Sequence, residues 1–205
     1  MQGKKEFWNS LLTEKSWEVL KELRKEHDFI LIGGWAVYLL TEQQKSRDID
    51  IVVGVKELEK FKQKGIVKNE RLRKYELKKE EVDVDIYVEH YSALALPAED
   101  MKDYALAVQG FKVACPEALI ILKQAAYKDR ENSVKGEKDK IDIISILFFT
   151  EFDFKKYKMI IEKYDLSPYA AELRRVMSNF KDYNALNLTP GEFKLKKEKV
   201  LLGIR

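Results

Sequence analysis

Asp48 and Asp50 stand in the run Asp48-Ile49-Asp50-Ile51-Val52-Val53, and a second run, Val82-Asp83-Val84-Asp85-Ile86-Tyr87-Val88, repeats the alternation of acid and aliphatic residue. A β-strand turns alternate side chains to opposite faces, so Ile49, Ile51 and Val53 can enter a core while both carboxylates project together on the other side. Anions held that close repel unless a cation lies between them, and hard divalent ions such as Mg²⁺ prefer carboxylate oxygens. Gly33-Gly34, a short helical stretch upstream of Asp48, adds a place where backbone N–H groups can approach an anion.

The elements that hold these residues follow from hydrophobic spacing. Leu11, Leu12, Val19, Leu20 and Leu23, with Trp8 and Trp17, predict an opening helix up to His27. Phe29 to Ile32 reads as a short buried strand that ends at the glycine pair, and Ala36, Val37, Leu39 and Leu40 continue as one face of a helix. Thr41 to Arg47 is a polar loop before the first aspartate strand. Val55 to Lys64 predicts a charged surface helix closed by Gly65. Arg71 to Lys79 and Val82 to Val88 have the spacing of a β-hairpin, with Lys79-Glu80-Glu81 near the turn. Leu94 to Gly110 is less regular, with a short helix from Ala98, and Phe111 to Ala114 is a candidate strand.

Pro116 sits where a helix begins, and Ala118, Leu119, Ile121, Leu122, Ala125 and Ala126 make that helix apolar on most sides. Further helices are expected around Ile141 to Phe148, Phe154 to Lys163 and Pro168 to Phe180, with a weakly specified tail after Asp182. The fold class is therefore α+β, a small mixed β-sheet core flanked by helices and followed by a helical C-terminal half. The expected domains are residues 1–114 and 115–205.

Of the 205 residues, 36% are charged, yet the formal net charge is only +3, so electrostatics does not by itself announce a nucleic-acid binder. Lys/Arg-dense stretches at Lys60 to Lys79, Lys123 to Lys140 and Lys194 to Lys199 read as solvated helix faces. The single Cys115 excludes an intrachain disulfide and suits a reducing cytoplasm. No apolar run reaches membrane-span length, and Met1 to Ser10 lacks the apolar centre of a signal peptide. A soluble cytoplasmic protein is expected, and abundant Lys and Glu with few Cys, Met and His is also a habit of thermophile proteins.

Ile32-Gly33-Gly34, thirteen intervening residues, Asp48-Ile49-Asp50-Ile51 and a later carboxylate strand together resemble the minimal core of the DNA polymerase β-like nucleotidyltransferase superfamily. The resemblance spans Phe29 to Val88, about a third of the chain. Cys115 to Lys123, Asp129-Arg130 and Lys135 to Asp142 are similar to the helical half of small prokaryotic nucleotidyltransferases, including toxins of the abortive-infection type. It implies a nucleotidyltransferase catalytic core completed by the helical half. The implied reaction is in-line attack of a hydroxyl on the α-phosphorus of an NTP such as ATP, assisted by two Mg²⁺ ions, or Mn²⁺, about 3.5–4 Å apart.

On this resemblance Asp48 and Asp50 bridge the ions and Asp85 completes the site. Asp83 shares the face of Asp85 by parity, and only the family's Asp-Ile-Tyr strand ending favours Asp85. Gly33 and Gly34 admit the triphosphate, and Lys45, Ser46 and Arg47 touch phosphates from the loop. Lys123 neutralises the β- or γ-phosphate or is simply a lysine on a packed helix. Asp139 and Asp142 either join the active site or favour the start of a helix through its dipole. Trp35 packs in the core or stacks on a base, and His27 and His90 have no ligand-like spacing. The toxin-like resemblance implies an RNA or tRNA end as acceptor and an antitoxin protein as partner. The rivals are a catalytically inactive nucleotide-binding protein of the same fold and an RNA-binding protein whose acidic strands are structural.

Overall fold

A computed structural model of the chain describes residues 2–204, with side chains from residue 11 onward. The side chains of residues 1–10 and of Arg205 lie outside the described residues, and with them the Met1 to Ser10 stretch tested above for a leader. The chain divides into two compact units, Met1–Cys115 and Pro116–Arg205. The class is the expected one, mixed α+β first and helical afterwards. Among the described residues no helix is long and apolar enough to cross a membrane.

The first unit opens with α1 (Gln2–Glu26), whose buried residues Ser16, Val19, Leu20, Leu23 and the following His27 recur at helical spacing. It continues with β1 (Ile30–Ile32), α2 (Gly33–Thr41), β2 (Ile49–Val53), α3 (Val55–Lys62), β3 (Val67–Asn69), β4 (Lys74–Lys79) and β5 (Val82–Val88). A 3-10 stretch, Ala98–Tyr104, leads into β6 (Ala105–Val108) and β7 (Phe111–Ala114). Two strands, β3 and β6, are not predicted by the hydrophobic spacing. Both are short edge strands whose residues are largely half-buried or exposed, so neither carries an apolar signal.

The seven strands form one sheet in the order β3-β4-β5-β2-β1-β7-β6. β2 runs parallel to β5 and antiparallel to β1, while β1 runs parallel to β7. One parity of the central strands is wholly aliphatic: Leu31, Ile49, Ile51, Val84 and Ile86 are each 0% exposed. Burying each such side chain contributes roughly 1.5–3 kcal/mol, so this face fixes the register of the strands. Helix α2 packs against β1 and β2, and α1 against β5. Trp35 on α2 is fully buried, with its indole N–H donating to Ser16 Oγ on α1 at 2.8 Å and its ring 5.1 Å from that of Trp17. Its role is packing, which leaves it unable to stack on a bound base.

The second unit comprises α4 (Pro116–Arg130), α5 (Val134–Phe149), α6 (Phe154–Lys163), α7 (Pro168–Asn179) and α8 (Pro190–Gly203). The tail that reads as weakly specified is thus an ordered helix. Thr189 accepts from the backbone N–H of Glu192 while the Glu192 carboxylate accepts from the Thr189 backbone N–H, a capping box with Pro190 at the first helical position.

Candidate active site

The acidic parity lies opposite the aliphatic one. Asp50 on β2 pairs with Ile32 on β1 and with Asp85 on β5, and Asp85 pairs in turn with Glu76 on β4. Glu76, Asp85 and Asp50 therefore form a row across three adjacent strands, each about 4.8 Å from the next in the pairing direction. Asp48 sits in the bend just before β2, near enough for its charge to bear on Asp85.

Gly33 closes one end of the row. It is the first residue of α2, with φ +68°, and a Cβ placed on it would stand 2.0 Å from Asp50 Oδ2. Only glycine combines that left-handed backbone with space for the neighbouring carboxylate. The residue before it, Ile32, offers no side-chain cap to the helix start, so amide donors of the first turn are not satisfied in that way. Gly34 is buried beside it. In the loop that leads to Asp48, Ser46 is buried while Lys45 and Arg47 are exposed, and the Lys45 ammonium lies 5.9 Å from the centre of the Tyr38 ring.

Parity leaves Asp83 and Asp85 equivalent, but their surroundings differ. The Asp83 side chain is 66% exposed, with its nearest cation, Lys78, at 4.0 Å. Asp85 is mostly buried beside Asp50, and the Lys74 ammonium lies 2.6 Å from its Oδ2. Lys74 also lies 3.2 Å from Glu76 Oε1. Burial pushes the Asp85 carboxyl above its ordinary value, with Glu76 and Asp48 adding to the rise and Lys74 opposing it. Burial pulls the Lys74 ammonium down, but Asp85 and Glu76 outweigh it and hold the lysine above its usual range.

Lys74 and Glu76 belong to the site without standing out in the sequence, although a signal is there. The two-residue turn at Glu80-Glu81 makes Lys79 face Val82, and counting back sets Glu76 opposite Asp85. Among the described residues no three His, Cys, Asp or Glu side chains converge closely enough, as oriented, to hold a metal ion. The donor set itself fits a hard divalent cation, since it consists of carboxylate oxygens, with an ammonium group already paired with one of them.

Further along the same parity, Ile30 and Val52 line a cavity of about 550 Å³ together with Gly54, Glu57, Glu89 and Ala105. Val52 is two residues beyond Asp50, about 7 Å along the strand. Val53, of the aliphatic parity, lines it as well, so the cavity wraps the end of β2 remote from Asp48.

In the second unit, Lys123 on α4 and Asp139 and Asp142 on α5 are brought together inside the helical packing. Lys123 Nζ lies 3.2 Å from Asp139 Oδ1 and 2.6 Å from Asp142 Oδ2, and Arg130 Nε donates to Asp139 Oδ2 at 2.7 Å. The contact to Asp142 is ionic, with the ammonium off the hydrogen-bonding direction. Both aspartates are 1% exposed and lie beyond the first turn of α5, so a helix-start dipole is not what holds them. Two acids and two bases cancel in this cluster, which ties α4 to α5.

No family model matches the sequence, and no curated protein does. Among solved structures, a candidate nucleotidyltransferase from H. pylori is similar over 96% of this chain and 96% of its own, with a TM-score of 0.51 at 16% identity. The chain shares the fold of that protein. JHP933 from Helicobacter pylori is similar over 96% of this chain and 93% of its own, at 16% identity and a TM-score of 0.48. An antigenic nucleotidyltransferase-like protein from Paracoccidioides brasiliensis matches 66% of this chain and 75% of its own, at 20% identity and a TM-score of 0.40.

Proposed function

We propose that the chain is a metal-dependent nucleotidyltransferase that moves an NMP from an NTP to a hydroxyl acceptor, an RNA or tRNA end in the first instance. The observation that carries this reading is the row Asp50–Asp85 on neighbouring strands, with Asp48 at its mouth and the diglycine start of α2 against Asp50. The fold shared with the candidate nucleotidyltransferase from H. pylori adds support.

In this reading Asp48, Asp50 and Asp85 hold Mg²⁺ or Mn²⁺ through hard oxygen donors. When bound, such ions supply activation of the attacking hydroxyl and neutralise charge on the departing pyrophosphate. The remaining work falls to the chain. The first turn of α2 offers amide donors and the positive end of its dipole to phosphate oxygens, and Gly33 and Gly34 keep that approach open. Lys45 and Arg47, exposed in the loop, contact the phosphates, whereas the buried Ser46 is not placed to reach them. An antitoxin partner belongs to the same proposal, by resemblance to the abortive-infection toxins.

A second reading, an inactive nucleotide-binding protein, draws on one observation: the Asp85 carboxylate is turned to Lys74 rather than toward Asp48 and Asp50. The deciding experiment incubates the protein with each labelled NTP, Mg²⁺ and total RNA. The enzyme reading expects label in RNA together with released pyrophosphate. Nucleotide binding without pyrophosphate release from any NTP leaves the second reading standing.

A further inference from the structure

We propose that Lys74 is the internal counter-cation of Asp85, shared with Glu76, and that a divalent ion reaches the Asp85 carboxylate only by displacing the ammonium from it and leaving Glu76 as its partner. The inference rests on the reading of the acid row as a metal site. Its grounds are geometric. The Lys74 side chain is 10% exposed and starts from the first residue of β4, so its reach is fixed by the sheet rather than by solvent. Its ammonium lies 2.6 Å from Asp85 and 3.2 Å from Glu76, and register places those two carboxylates directly across from each other on β5 and β4.

A cation so placed does two things. It sets a positive charge 2.6 Å from Asp85, on the strand next to the facing Asp50–Asp85 pair, where like charges otherwise repel. It also competes with any ion for the same oxygen, because an ammonium and a divalent cation at one carboxylate repel each other in a site of reduced dielectric. Glu76 supplies the alternative seat. Its side chain is 42% exposed and already accepts from Asn69 Nδ2 at 2.9 Å, so it is held in position to keep the ammonium. The ammonium already contacts Glu76, so only its contact with Asp85 has to break. Lys74 is thus a positioning residue that sets how much divalent metal the site demands.

The test is a Mn²⁺ titration of the full chain without nucleotide, followed by electron paramagnetic resonance of the free ion and by calorimetry. Lys74→Met should bind Mn²⁺ roughly tenfold more tightly than wild type, equivalent to about 1.4 kcal/mol. Lys74→Arg, which keeps the charge, should restore weak binding. A merely structural ion pair predicts lower melting temperatures for Lys74→Met with no gain in affinity. Unchanged or weaker Mn²⁺ binding by Lys74→Met overturns the inference, and so does tight binding by Lys74→Arg. If Lys74→Met does not fold, Lys74→Gln takes its place, with a polar tip and no charge. Asp50→Asn separates the two levels. Where it weakens Mn²⁺ binding and Lys74→Met has no effect, only the role of Lys74 fails; where it has no effect, the metal site itself fails.

Discussion

Replacing Gly33 by alanine should damage the protein in a way that Gly65→Ala does not. Both glycines have left-handed backbones, φ +68° and φ +78°, so both alanines incur the same conformational penalty of roughly 1–2 kcal/mol. Around Gly65 there is open space, with nothing within 4 Å of where the methyl would stand, whereas at Gly33 the methyl would meet Asp50 Oδ2 at 2.0 Å, Cγ at 2.6 Å and Cβ at 2.8 Å. The last contact is too near the strand to be relieved by rotating the carboxylate alone. Relief has to come from α2 or β2, and overpacking of that kind costs roughly a further 1–3 kcal/mol. Gly33→Ala should therefore lose about 2–5 kcal/mol and Gly65→Ala about 1–2 kcal/mol. Trp8, Trp17 and Trp35 all belong to the first unit, so urea unfolding followed by tryptophan fluorescence reports that unit. Losses for the two variants that agree within about 0.5 kcal/mol would refute the steric part of the reasoning, since surface-like substitutions scatter by that much. The same displacement should move Asp50, so Gly33→Ala should also weaken Mn²⁺ binding while Gly65→Ala leaves it alone.

Asp48→Asn and Asp50→Asn each remove a charge at nearly constant volume and should cut pyrophosphate release from NTP by about a hundredfold or more, with an unchanged circular dichroism spectrum. Wild-type rates in both variants reject the site. Lys123→Met strips one cation from the buried Asp139–Asp142 cluster and should cost about 3–5 kcal/mol in chemical denaturation, against about 0.5 kcal/mol or less for the exposed Asp83→Asn; a loss below about 1 kcal/mol would show the cluster to be weakly coupled. Burial pushes the Glu57 carboxyl up, but Lys60 and His27 outweigh it and hold the group below its ordinary value of 4.5. A depressed carboxyl stabilises the fold above its unfolded value and loses that contribution as pH falls through the folded one. The melting temperature of wild type should therefore exceed that of Glu57→Gln at neutral pH, with the gap closing as pH drops below about 4.5. A gap that stays constant or widens in acid would contradict the assignment.

How much of this is legible in the sequence depends on whether a residue's role is local. Ile49, Ile51, Val84 and Ile86 announce buried strands by alternation alone, and the acids between them announce the opposite face. The choice between Asp83 and Asp85 is not local. It turns on which residue stands beside Asp50, and that register is set by the whole sheet. Lys123, Asp139 and Asp142 are grouped by resemblance, yet their mutual ion pairs are visible only once α4 lies on α5. The hairpin turn falls where the spacing predicts it although Glu80 and Glu81 both take positive φ, at 50° and 68°, a geometry that normally asks for Asn or Gly. Glu81 also forms an exposed ion pair with Lys15 of α1 at 2.8 Å. Helix α8 stays hidden despite its signature, because Thr189 and Glu192 have the capping-box spacing but the apolar pattern that follows is faint.

The two faces of the central strands divide stability from chemistry. On the aliphatic parity every residue of β2 and β5 is buried and tolerates little change, since a single lost methylene there leaves a void. On the acidic parity Asp50, Asp85 and Glu76 gain nothing from one another, because facing like charges on neighbouring strands destabilise a sheet. Burial alone pushes the Asp85 carboxyl toward its neutral form. A fold under selection for stability only would place neutral or alternating charges in that row. The row instead carries three carboxylates with a lysine set between two of them, an arrangement that stability does not explain and that the proposed cation site would.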